Sequence, residues 1–167
     1  MRGRQPAGGG NDSPGLPRGA NASILAASTM PFQLHPRLAA GGFDFGTHGK
    51  CRVLLKDNAV FPWFILVPEV DDTITELHQL EATDYASVMF TIRQMSAFVE
   101  THFHPDKINV AAIGNIVPQL HIHIVARFAS DPAWPGVVWS CDAKSNYGKE
   151  EALAIHTAYQ LHMPASP

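Results

Sequence analysis

Gln119, His121 and His123 stand at alternate positions in the run Gln119-Leu120-His121-Ile122-His123-Ile124. On an extended strand alternate side chains share a face. An amide and two imidazoles would then project together, the histidines roughly 7 Å apart, while Leu120, Ile122 and Ile124 face a core. Imidazole is the side chain whose unperturbed pKa lies at neutrality, so it can serve as nucleophile, base or acid near pH 7. A histidine attacking phosphorus would form a covalent phosphoramidate and divide one hard displacement into two easier ones. A neighbour could protonate the departing oxygen, and the Gly114-Asn115 loop leading into the strand could offer backbone N–H groups to phosphate oxygens. Two other readings fit the same spacing. The histidines can be the solvated side of a half-exposed strand. His-x-His is also a metal-binding arrangement, and His102-Phe103-His104 supplies a second such pair, although no cysteine or carboxylate stands at ligand-like spacing beside His121. The spacing alone leaves all three open.

The elements that would position these residues begin near Cys51. Residues 51–56 and 63–67 are β-rich apolar runs separated by the turn-forming Asp57-Asn58 and by Pro62. Residues 83–103 predict the principal helix, with Thr83 or Asp84 as its cap and Val88, Ile92, Met95 and Val99 as one apolar stripe; Pro105 stops it. Met95 and Phe98 belong to its core face. Residues 107–113 predict another strand, followed by the loop 114–118 and a strand over 119–127. An irregular stretch, 133–139, contains Trp134, Pro135 and Trp139, and a short helix is expected near 149–162. Strands joined by short turns, with one long helix between two pairs, predict an α+β domain with a mainly antiparallel sheet.

Length and composition narrow the function classes. A chain of 167 residues with 46% hydrophobic and 16% charged residues can bury a real core as one domain. A formal net charge of -3, without a basic run, argues against nucleic-acid or membrane affinity through bulk electrostatics. No apolar run approaches the roughly 18–20 residues that span a bilayer. The 2 cysteines, Cys51 and Cys141, show neither metal-type spacing nor a secreted disulfide framework, which makes a cytoplasmic setting the expectation. Residues 1–29 are rich in Gly and Pro and lack a hydrophobic period, so a disordered extension is expected. Met30 opens the globular part, which leaves the nativeness of that extension in question. The expected organisation is therefore an extension over 1–29, a catalytic domain over 30–142, and a C-terminal helix and tail over 143–167.

The run Asn115-Ile116-Val117-Pro118-Gln119-Leu120-His121-Ile122-His123-Ile124-Val125 resembles the signature of the histidine triad (HIT) superfamily, which alternates histidines with hydrophobic residues. More closely it is similar to a bacterial branch with a Gln-Leu-His-x-His core, followed by Ala-Arg-Phe and Ala-Trp-Pro. Here those are Ala126-Arg127-Phe128 and Ala133-Trp134-Pro135. Cys51-Arg52-Val53-Leu54-Leu55, Pro62-Trp63-Phe64-Ile65-Leu66-Val67-Pro68 and Pro105-Asp106-Lys107-Ile108-Asn109-Val110 extend the likeness to about residues 32–139.

The resemblance implies a HIT-like fold, a central antiparallel sheet packed against a long helix, often paired as a homodimer. It implies a nucleotide substrate and a nucleotide hydrolase or nucleotidyl transferase, diadenosine polyphosphate hydrolase-like, with no required cofactor; Mg²⁺ can accompany a polyphosphate. His121 corresponds to the nucleophile. His123 corresponds to the third histidine, expected to bind phosphate oxygens and to orient or protonate. Gln119 stands in place of the first histidine; an amide can donate a hydrogen bond to phosphate but cannot shuttle a proton. Trp63 stands where many members carry a histidine, and its indole could stack on a nucleobase or pack in the core. Asn58 could bind a ribose or simply make the turn; Asn109 and Asn115 are further nucleotide-binding candidates. A nucleotide sensor without useful turnover and a His-x-His metal protein are the alternatives.

Overall fold

The computed structural model describes residues 32–163; the expected extension over 1–29 lies outside them. The elements are α1 (Pro36–Ala39), β1 (Gly42–His48), β2 (Cys51–Lys56), β3 (Trp63–Pro68), α2 (Ala82–Phe103), β4 (Lys107–Ala112), β5 (Ile122–Arg127) and α3 (Lys149–His162). The strands form one five-stranded sheet in the order β1-β2-β3-β5-β4, and each neighbouring pair is antiparallel. This is the expected α+β architecture.

Local chemistry accounts for the elements. Gly49, at φ 56°, makes the tight turn between β1 and β2, where a β-carbon would meet Thr91 Oγ1 at 2.8 Å. In α2, Val88, Thr91, Ile92, Met95, Phe98 and Val99 are buried, the i, i+3, i+4, i+7 stripe of a helix lying on a sheet. Its cap corrects the sequence expectation: Glu81, not Thr83 or Asp84, occupies the N-cap, without a side-chain cap bond. Asp84 instead lies in the first turn, favoured by the helix dipole, and pairs with Lys50 at 3.4 Å. His104 closes the helix in the left-handed conformation, one residue ahead of Pro105.

The sheet separates two apolar layers. On the helix side, Val53, Leu55, Phe64, Leu66, Ile122, Ile124 and Ala126 pack against α2, and Ala152, Ile155 and Tyr159 of α3 join the same cluster. On the other side Leu54, Trp63, Ile65, Val67 and Val125 pack with Leu38 of α1 and with Val117 and Val138 from the connecting segments. Cys51 is fully buried, and burial pushes its thiol up to about 12, which keeps it inert. No helix among the described residues is long and apolar enough to cross a membrane.

The strand expected over 119–127 begins only at Ile122. Leu66 of β3 and Ala112 of β4 both pair with Ile122, so residues 119–121 have no ladder partner on either side.

At its far end β5 carries a buried ion pair. Arg127 Nε and Nη2 donate to the two carboxylate oxygens of Asp131 at 2.8 and 3.0 Å, and Nη1 donates to Asn109 Oδ1 at 2.7 Å. The side chains of Arg127 and Asp131 are 2% and 3% exposed. Asp131 also accepts the N–H groups of Phe128 and Ala133, so one carboxylate fastens the chain leaving β5. Removing one partner strands a buried charge, and Asp131→Ala should lower the unfolding free energy by about 3–5 kcal/mol in urea denaturation. A loss below about 1 kcal/mol would show that the guanidinium finds water instead.

Candidate active site

Each histidine has one neighbour whose hydrogen-bonding role is fixed, and together these assign the protons. His121 Nδ1 lies 2.7 Å from the backbone carbonyl oxygen of Gln119. A carbonyl only accepts, so Nδ1 carries the proton and Nε2 keeps a free lone pair. The Trp63 indole donates from Nε1 to His123 Nδ1 at 2.9 Å. An indole N–H only donates, so His123 Nδ1 is the acceptor and its proton resides on Nε2. The two rings lie 4.8 Å apart at 82°. One neighbour thus offers a nucleophilic nitrogen and the other a donor N–H.

Both histidines are 7% exposed, which overturns the reading of a solvated strand face. Trp139 packs edge-on against Trp63 and His123, with ring centres at 5.4 and 5.5 Å. The Lys56 ammonium lies 4.6 Å over the Trp63 ring. Burial first, then the positive potentials of His121 and Lys56, push His123 down to about 3. Burial also lowers Lys56 from its ordinary value.

Several expected ligands have other work. Trp63 is 5% exposed; Lys56 lies over its ring and its N–H is committed to His123, so the indole packs in the histidine-side layer. Asn58 is not a free ribose ligand: Oδ1 accepts from the N–H groups of Val60 and Ser145, and Nδ2 donates to the Ala143 carbonyl. It ties the β2–β3 turn to the segment before α3. Asn109 is likewise engaged, through Oδ1, by Arg127. Asn115 is exposed in the β4–β5 loop and makes no side-chain hydrogen bond among the described residues. Gln119 is engaged by the N-terminal part of the described chain. Its Oε1 accepts from the His35 N–H and its Nε2 donates to the Gln33 carbonyl, each at 2.9 Å.

His102 and His104 do not join this site. The His102 ring stacks on Phe98 with centres 5.3 Å apart, and His104 caps α2. Among the described residues no three His, Cys, Asp or Glu side chains converge as a metal centre requires. Sequence reasoning missed Lys56 and Trp139. Lys56 had a signal, a cation ending the strand next to that of Trp63; Trp139 had none, since a loop carries it in.

A buried pair of imidazoles in complementary tautomers stands at the start of β5, an inner strand of an antiparallel α+β sheet. The comparisons with known proteins identify the family. The HIT domain matches residues 42–130. A crystal structure of a histidine triad protein from Marinobacter aquaeolei VT8 is similar at 39% identity and TM-score 0.76, covering 80% of this chain and 97% of that one. One from Sinorhizobium meliloti 1021 is 36% identical, with TM-score 0.75 and coverage of 78% and 96%. One from Bradyrhizobium japonicum is 34% identical, with TM-score 0.77 and coverage of 80% and 99%. No curated protein matches the chain. The chain belongs to the HIT domain family, a superfamily of nucleotide-binding proteins, hydrolases and transferases.

The His123 environment yields a pH test. Its folded pKa of about 3 lies below the ordinary 6.5, so as pH falls the unfolded chain binds this proton first. The histidine leaves stability intact above about pH 6.5 and erodes it as pH drops toward about 3. In ¹⁵N NMR the His123 ring should stay neutral, with hydrogen on Nε2, from pH 8 to 5. Trp63→Phe removes the donor that favours the neutral ring, so its titration should move upward. A wild-type midpoint near 6.5 would refute the assignment.

Proposed function

We propose that this protein is a nucleotide hydrolase or nucleotidyl transferase that works through a covalent nucleotidyl-His121 intermediate. The observation that carries the reading is the pair of tautomers: a bare Nε2 on His121 beside an Nε2–H on His123. His121 Nε2 attacks the α-phosphorus, an N–P bond forms, and the P–O bond to the remainder breaks with the electron pair leaving on oxygen. As the imidazole acquires positive charge, its Nδ1–H bond to the Gln119 carbonyl strengthens, so stabilisation grows where charge develops. Water then attacks the same phosphorus and loses a proton to solvent, the N–P bond breaks with its electron pair returning to His121 Nε2, and the nucleotide is released.

The substrate class follows from proton accounting. His123 is neutral in the free protein, and a neutral imidazole binds a phosphate oxygen through Nε2–H without being an acid of useful strength. Gln119 has no titratable proton. The site is therefore suited to leaving groups that depart as stable anions, which favours a phosphoanhydride such as a dinucleoside polyphosphate over a phosphoramidate, whose amine needs a proton. Mg²⁺ carried by the polyphosphate would assist without a protein-bound metal. This suits the bacterial Gln-Leu-His-x-His branch that the sequence resembles.

A homodimer belongs to the same proposal. β4 is an edge strand that exposes Val110, with Ile113 exposed just past its end, 47% and 38% accessible. An unpaired apolar edge suits two-fold pairing with a second copy. Val110→Lys should shift the protein to monomer in multi-angle light scattering; an unchanged mass for wild type and variant would remove β4 from the interface.

The chemical test compares diadenosine polyphosphates with adenosine phosphoramidates. Diadenosine polyphosphate should turn over faster, and an acid-labile adenylyl adduct on His121 should be visible by mass spectrometry. His121→Ala should lose at least about a thousandfold in kcat/KM while still binding AMP. Turnover surviving in His121→Ala would end the covalent proposal, and tight binding without turnover of any substrate would favour the sensor reading.

A further inference from the structure

We propose that Gln119 is a positioning residue whose amide clasps segment 33–35 and thereby holds the His121 ring, making the N-terminal segment part of the active-site frame. The functional consequence rests on the hydrolase or transferase reading above; the clasp itself does not. Residues 119–121 lie beyond the last ladder pair of β5, so sheet hydrogen bonds cannot fix the Gln119 carbonyl that accepts from His121 Nδ1. The side-chain amide supplies the missing restraint. It accepts from His35 N–H and donates to the Gln33 carbonyl, both at 2.9 Å, across 84 and 86 residues of chain. This is the pairing a peptide group would make with two alternate residues of a neighbouring strand.

The segment it grips is itself anchored. His35 caps α1 through Nδ1, which accepts from Arg37 N–H, and Leu38 is buried with Leu54, Trp63 and Val117 in the histidine-side layer. Phe32 and Leu34 pack against the same layer. Gln119 also lines a groove of about 820 Å³ together with Leu34, His35, Asp71 and Asp72. Two carboxylates make that groove a poor place for phosphate. The residue type matters because only a primary amide carries a donor and an acceptor side by side. Glutamate lacks the donor, and imidazole carries its two nitrogens on divergent edges of the ring. A histidine at 119 would forfeit the clasp.

The test disrupts the clasp from both ends. Gln119→Ala removes the amide. His35→Pro removes the N–H it accepts, at a residue whose φ of -55° already suits proline, and with it the Nδ1 cap of α1; His35→Ala removes the cap alone and should keep wild-type kinetics. In the free protein, ¹⁵N NMR should show His121 wholly Nδ1-protonated in wild type and a mixture of tautomers in Gln119→Ala and His35→Pro. Exchange of the His35 amide in Gln119→Ala should quicken by at least about tenfold. With a diadenosine polyphosphate, these two variants should each lose about ten- to a hundredfold in kcat/KM, mostly in kcat, and their double variant should be no worse than the poorer single one. Gln119→His should behave like Gln119→Ala. His35→Pro with wild-type kinetics beside an impaired Gln119→Ala would overturn the proposal, because the amide would then act on substrate directly; so would an unmixed His121 tautomer in both Gln119→Ala and His35→Pro. The NMR measurements need no substrate, so a wild-type protein inactive on every nucleotide would refute the functional reading while leaving the clasp to be judged on its own.

Discussion

β3 and β5 pair antiparallel in a register that sets Ile65 opposite His123 and Trp63 opposite Val125. Because alternate side chains share a face, this register alone brings the Trp63 indole onto the His123 side of the sheet, 60 residues away in sequence, at hydrogen-bonding distance. It also sends Ile122, Ile124 and Ala126 into the layer under α2. A slip of one residue would reverse both sets and drive His123 and Arg127 against the apolar helix. Burying an unpaired guanidinium there would cost far more than the ladder bonds could return. The two layers therefore enforce the register, and the register makes the site.

Burial then decides the chemistry. In water an imidazole exchanges tautomers and titrates near neutrality. Here Trp63, Trp139 and Lys56 surround His123 so that the neutral ring is favoured and its single acceptor is already satisfied. His121 is fixed by a different device, a backbone carbonyl on Nδ1, which leaves the lone pair on Nε2. Low polarity strengthens both bonds. The resulting asymmetry between two identical side chains two residues apart comes wholly from their partners.

Much of the scaffold was legible from periodicity. The stripe through Val88, Ile92, Met95 and Val99 located α2, and the apolar runs located β2, β3, β4 and α3, because burial on one face leaves a repeating pattern. β1 escaped notice, since Gly42, Asp44, Gly46 and Thr47 interrupt its alternation and its pairing is irregular between Asp44 and Thr47. The end of β5 was misplaced because a strand stops where its partners stop, which one strand's sequence does not record. The histidines were legible as a chemical pair, through spacing and resemblance together. The occupations of Asn58, Asn109 and Trp63 were not: each is decided by a distant partner, Ala143 and Ser145, Arg127, or His123. Side-chain type told what these residues could bond, and only the fold told what they do bond.

Gln119 shows how a departure from a family pattern can change the division of labour and still leave a coherent site. With an amide there, the proton-handling group disappears from the strand end, and the same side chain becomes a two-sided link to the chain's N-terminal part. His123 does not fill the gap, since its burial holds it neutral in the free protein. On the proposed reading, rate must then come from a well-aimed nucleophile and a leaving group that needs no proton. Aim depends on the Gln119 carbonyl, which lies past the end of the ladder. The loss of a titratable group and the gain of a structural clasp are thus two sides of one substitution: chemistry that no longer manages protons at this position places a higher demand on holding His121 still.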